Sequence, residues 1–117
     1  MPTSEDITRL KHMLEAAQKA IMFTQDRSRH VLDSDEVLAL AVVRLLEIIG
    51  EASKNISDSI KSKYPAVPWK QIAGTRDRLM HGYFDVDLDI VWEIITSDLP
   101  PLSDSLEQIL RDEETNG

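Results

Sequence analysis

Apolar residues recur at spacings of three and four along most of the chain, the period of an α-helix and not of a strand. Ile7, Leu10, Leu14, Ala17 and Ile21 make the first stripe, with Thr3 or Ser4 as its cap and Glu5 and Asp6 in its first turn. It ends near Phe23 to Asp26, and the polar run Thr24 to Asp33 reads as a loop. Asp33 and Ser34 then supply caps, and Asp33 and Glu36 have capping-box spacing. Leu38, Ala41, Leu45, Ile48 and Ala52 form one stripe of the second helix; Val37, Val42, Leu46 and Ile49 form another beside it. An arc this wide predicts a central helix buried on more than one side, with a subunit contact as one use of the surplus. Gly50 inside it weakens the helix by about 1 kcal/mol relative to alanine, so a close neighbouring backbone is expected there. Arg44, Glu47 and Glu51 are spaced to pair along its surface.

Ser57 to Lys63 is a short amphipathic piece that stops at Tyr64-Pro65. Pro68 suits the first position of the next helix, which turns Trp69, Ile72, Ala73 and Leu79 to the core. Gly74 in that helix leaves room for a neighbour. Asp87 caps a further helix whose stripe is Leu88, Val91, Trp92, Ile95 and Leu99. Leu102, Leu106 and Ile109 keep the period beyond Pro100-Pro101, where a break or kink is expected. Residues 111–117 read as a frayed acidic tail. No apolar alternation of period two competes, so no sheet is expected. The pattern predicts an all-α protein, an up-and-down bundle of four to five helices in a single domain over residues 1–117.

Composition sets limits on chemistry. Apolar residues are 42% of 117, enough for one core, and cysteine is absent, which removes disulfides and thiolate chemistry. That fits a reducing, cytoplasmic setting. The first residues lack a basic, apolar leader, and no apolar run approaches the roughly 18 residues of a membrane span. The net charge of −8 argues against non-specific nucleic-acid binding by the whole surface. Yet Lys61 to Tyr83 holds five cations and one anion, whereas Asp85 to Glu114 holds ten acids and one base. A basic segment in an acidic protein is compatible with a small phosphate site.

Within that segment lies Thr75-Arg76-Asp77-Arg78-Leu79-Met80-His81-Gly82-Tyr83. Arginine is a permanent cation suited to phosphate, and histidine the side chain most easily set to move a proton near neutral pH. The pair is the least that metal-free cleavage of a phosphodiester needs, although the same residues near a helix end can simply cap carbonyls. On one continuous helix Arg76 and His81 would stand roughly 140° apart. His81 must therefore leave the helical path, with Gly82 the natural terminator, or two copies must each contribute part of the site. Lys70 and Arg78 are added phosphate candidates, and Asp77 is placed to orient Arg76. His12 and His30 read as solvated. No set of His, Asp and Glu has ligand spacing, so no metal and no cofactor is expected.

Arg76, four residues, His81, Gly82 and Tyr83 resemble the arginine-x4-histidine-x-tyrosine motif of the HepT family within the HEPN superfamily. Arg44 to Ala52, Val67 to Gly74 and Phe84 to Leu102 resemble its flanking signatures, so the likeness covers about Glu36 to Leu110. Asp77 departs from it, where asparagine is frequent. The resemblance implies a HEPN-like bundle that dimerises around one cleft. It implies a metal-independent endoribonuclease toxin of a type VII toxin–antitoxin pair. His81 would act as general base or acid and Arg76 would hold the phosphate, leaving a 2′,3′-cyclic phosphate and a 5′-hydroxyl. It further implies that Tyr83 is modified with AMP by a cognate minimal nucleotidyltransferase antitoxin. The alternatives are a non-catalytic subunit that binds nucleotide or RNA in a nucleotidyltransferase complex, and a plain helical dimerisation module.

Overall fold

A computed structural model describes residues 3–81 and 85–116; for His81 and Asn116 it describes the backbone alone. The predicted all-α bundle is what forms. Helix α1 (Ser4–Thr24) is followed by a single turn, α2 (Val31–Ser34), then α3 (Glu36–Lys54) and a short α4 (Asp58–Lys63). Two five-residue helices, α5 (Trp69–Ala73) and α6 (Thr75–Leu79), carry the basic segment. After them come β1 (Met80–His81), β2 (Asp85–Val86) and α7 (Leu88–Glu93), then one π-helical turn (Ile94–Asp98) that leads into α8 (Leu99–Asn116).

Helices α1 and α3 run antiparallel, because Arg9 near the start of α1 donates to the Asn55 carbonyl past the end of α3 (2.9 Å). Helix α1 also lies antiparallel to α8, with Lys11 against Glu114 (3.2 Å) and Gln18 donating to Glu107 (3.1 Å). Leu10, Met13, Ala17, Ala20, Val42, Leu46, Ile49, Val91, Ile95, Leu99, Leu106 and Ile109 fill the space between. On α3 the inner stripe is Val42, Leu46 and Ile49; the Leu38, Ala41, Leu45, Ile48 and Ala52 stripe is only half-buried. Val37 does not join the core at all.

A buried carboxylate ties the start of α1 to the start of α4. Asp6 completes a capping box with Thr3 and accepts from both the backbone N–H (2.9 Å) and the hydroxyl (2.8 Å) of Ser57. Burial opposes its charge, but the hydrogen bonds from Ser57 and Thr3 outweigh that and hold its carboxyl below the usual aspartate range.

Four expectations change. Asp35, not Asp33, caps α3, because Asp33 is taken into α2 and Asp35 accepts from the Leu38 N–H at 3.0 Å. The helix does not break at Pro100-Pro101: both prolines fall in the first turn of α8, and the preceding π turn absorbs the missing donors. Residues 111–116 continue α8, where the sequence suggested a frayed tail. They stay helical because Glu113 is buried and takes Lys63 (2.9 Å) and the Tyr64 hydroxyl (3.0 Å). Finally, a minimal antiparallel ladder forms, Met80 opposite Val86 and His81 opposite Asp85, too short to have a sequence pattern.

Candidate functional site

The segment that carries the motif is held against α3 by an absence. A Cβ added at Gly50 would meet the Ile72 carbonyl oxygen at 3.2 Å and the Thr75 Cβ at 3.4 Å. Glycine thus lets the α5–α6 elbow rest on the α3 backbone, the close approach expected from the sequence. Gly74 does not play that part: a Cβ there would meet only its own helix's carbonyls at 3.6 Å. It instead marks the elbow, its N–H shared between the Lys70 and Gln71 carbonyls, while the Thr75 hydroxyl donates to the Ile72 carbonyl at 2.6 Å. One expected helix is therefore two short ones.

Helix α6 ends between Arg76 and His81. Its cap is Met80, whose N–H donates to the Arg76 carbonyl, and Met80 is already extended. The backbone then runs straight through His81, pinned by the ladder to Val86 and Asp85 and by the Asp87 N–H on the Leu79 carbonyl at 2.7 Å. His81 has left the helical path, one of the two arrangements that the spacing left open. Gly82 and Tyr83 lie outside the described residues, so the expected terminator and modification site are not located, and nor is the His81 side chain.

Arg76 is exposed and borders a groove of about 120 Å³ lined by Arg44, Glu47, Gly50, Glu51, Lys54 and Ala73. Arg78, two positions on, points elsewhere, since two residues turn a helix by about 200°. Its guanidinium reaches Asp98 at 3.3 Å and borders a second, mostly apolar cavity of about 210 Å³ against the π turn. Arg78 and Arg76 therefore do not converge. Lys70 is exposed on α5 but borders neither cavity. Asp77 is exposed and forms no ion pair with Arg76, so the expected orienting contact is absent between these two described side chains. Nor does Arg44 pair along α3 with Glu47 or Glu51 as its spacing suggested; all three open onto the Arg76 groove instead. Lys54 was not singled out from the sequence. The signal was available: Arg44, Glu47, Glu51 and Lys54 fall within an arc of about 80° on α3.

The comparisons bear on which bundle this is. The family model described as "Ribonuclease HepT-like" matches residues 13–109. The chain belongs to the HepT-like ribonuclease family. Among its HepT-like relatives is a protein of Caldanaerobacter subterraneus subsp. tengcongensis named "Putative RNase", 42% identical over 105 residues. That match covers 90% of this chain and 94% of the relative. A Thermococcus cleftensis protein named "Probable ribonuclease HepT" is 38% identical over 103 residues, covering 85% of this chain and 94% of its own length. A third, from Methanocaldococcus jannaschii and also named "Putative RNase", is 39% identical over 98 residues, covering 84% and 90%. No solved structure matches.

Proposed function

We propose that this HepT-like protein is a metal-independent endoribonuclease toxin that cuts RNA with Arg76 and His81. The observation that carries the reading is the end of α6. Arg76 stands on the last helical turn beside an open groove, and the backbone of His81 is extended and pinned just beyond it. That change of path removes the roughly 140° separation that a continuous helix would impose. Arg76 holds the scissile phosphate and offsets the charge that grows on it in the transition state. His81 takes the proton from the ribose 2′-hydroxyl. The 2′-oxygen bonds to phosphorus, the bond to the 5′-oxygen breaks, and that oxygen is protonated as it leaves. The products are a 2′,3′-cyclic phosphate and a 5′-hydroxyl.

The working unit in this reading is a homodimer. Val37 and Leu40 are 78% and 64% exposed at the start of α3, and Met22 and Phe23 are 59% and 38% exposed at the adjoining end of α1. Large apolar side chains gathered at one end of an antiparallel pair favour a partner. Arg44 is one turn beyond Leu40, so a seam here would run beside the Arg76 groove. Control comes from a nucleotidyltransferase antitoxin that adds AMP to Tyr83, two residues beyond His81, which puts phosphate and bulk at the site.

The test is cleavage of RNA in EDTA by purified protein. His81→Ala and Arg76→Ala should each retain less than about one part in 100 of the parent rate. Equal cleavage by His81→Ala sinks the reading. RNA binding that depends on Arg76, without any product, would instead support the non-catalytic binding subunit.

A further inference from the structure

The groove beside Arg76 holds more charge than one arginine. Arg44 and Lys54 reach it from α3, together with Glu47 and Glu51. Elsewhere on this surface Arg9 is matched with Glu5, Lys19 with Glu15, Arg29 with Asp33 and Asp89, and Arg111 with Glu107, while Arg27, Lys61 and Lys70 have no carboxylate of the described residues within ion-pair distance but do not border this groove. Among the described residues, no carboxylate comes within ion-pair distance of Arg44, Lys54 or Arg76, although Glu47 and Glu51 line the same groove. Arg44, Lys54 and Arg76 differ from the other unpaired cations in sharing one groove with two acids that none of them pairs with.

The spacing fits a strand. Ten residues of helix separate Arg44 from Lys54, about 15 Å along the axis. That length spans about two steps of an extended nucleotide backbone, at up to about 7 Å per step, and Arg76 stands opposite from α6. Phosphates need cations at such intervals. The group between them that donates to a carboxylate is the ribose 2′-hydroxyl, which DNA lacks.

Resting on the ribonuclease reading above, we infer that this groove is a ribonucleotide-strand subsite. Arg44 and Lys54 bind phosphates that flank the one at Arg76, and Glu47 and Glu51 accept from the ribose hydroxyls between them. The strand therefore runs along α3.

The test is equilibrium binding of a short single-stranded RNA to full-length His81→Ala protein across a salt series. In that background Arg44→Gln and Lys54→Gln should each weaken binding and reduce the slope of log K against log salt by about 0.7, the share of one phosphate on a single strand. Lys19→Gln, on α1, should leave the slope unchanged. A deoxy strand of the same sequence should bind the His81→Ala protein more weakly than RNA, and Glu47→Ala with Glu51→Ala should narrow that gap. Circular dichroism of each variant separates loss of a contact from loss of fold. Unchanged slopes in both cation variants overturn the inference while leaving cleavage by the wild type, and so the ribonuclease reading, intact. An unchanged RNA-to-DNA ratio in the double variant removes the carboxylates' part. A wild type that neither binds nor cuts RNA overturns both.

Discussion

Asp6 shows how one side chain can join two helices. It serves the first turn of α1 and the start of α4 at once, with Thr3 and Ser57 as donors. Asp6→Ala strands the Ser57 N–H and should cost about 2 kcal/mol in urea unfolding. The pH dependence follows from its lowered pKa. The unfolded group titrates near 3.8, so the carboxylate's contribution is complete above that value and is lost as pH falls through the lower folded value. Acid unfolding of the parent should therefore show a steeper fall below that range than Asp6→Ala does. Tyr64 is the mirror case. Burial first, then the hydrogen bond to Glu113 and its charge, push the phenol up to about 12. Glu113→Gln in a Tyr83→Phe background should bring it down toward its ordinary value of 10.0, read by ultraviolet titration.

At the scale of elements the α3–α6 contact decides the site. Gly50→Ala trades a gain in helix propensity of about 1 kcal/mol against a 3.2 Å approach to the Ile72 carbonyl, so its effect on stability should be small. Gly50→Val adds two more methyls to that contact and should cost about 1–3 kcal/mol. Its RNA cleavage should fall further than its melting temperature implies, because the elbow carrying Arg76 is pushed off α3. Cleavage that tracks stability alone would show that the close approach does not position Arg76. The π turn is the other element that reads differently in three dimensions. It keeps Ile94, Ile95 and Leu99 in the core while the chain takes up two prolines, so the period of apolar residues survives a place where the hydrogen-bond ladder cannot.

For the whole molecule the exposed apolar end of α1 and α3 is the feature a lone bundle leaves unused. Val37→Glu with Leu40→Glu should leave the circular dichroism of the fold unchanged, because both side chains are already in solvent. In sedimentation the parent should behave as a dimer and the double variant as a monomer. Cleavage should fall with dimerisation if the two grooves work side by side. A parent that sediments as a monomer rejects the homodimer.

Much of the architecture was legible along the chain because helical periodicity and capping are local. The stripes of α1, α3 and α7–α8 placed the core, Asp87 announced its helix, and the angle between Arg76 and His81 pointed to a helix end between them or to a site shared by two copies. Other features depend on residues that meet only on folding. Asp33 has capping-box spacing, but Asp35 won the cap once α2 took up Asp33. The tail residues 111–116 look like a fraying end until Lys63 and Tyr64 supply Glu113 with partners fifty and forty-nine positions away. Arg78 and Arg76 are nearly adjacent in sequence yet face different cavities, whereas Arg44 and Lys54 join Arg76 from another helix. Which charges share a groove is set by how helices pack, and spacing along one helix does not contain that information.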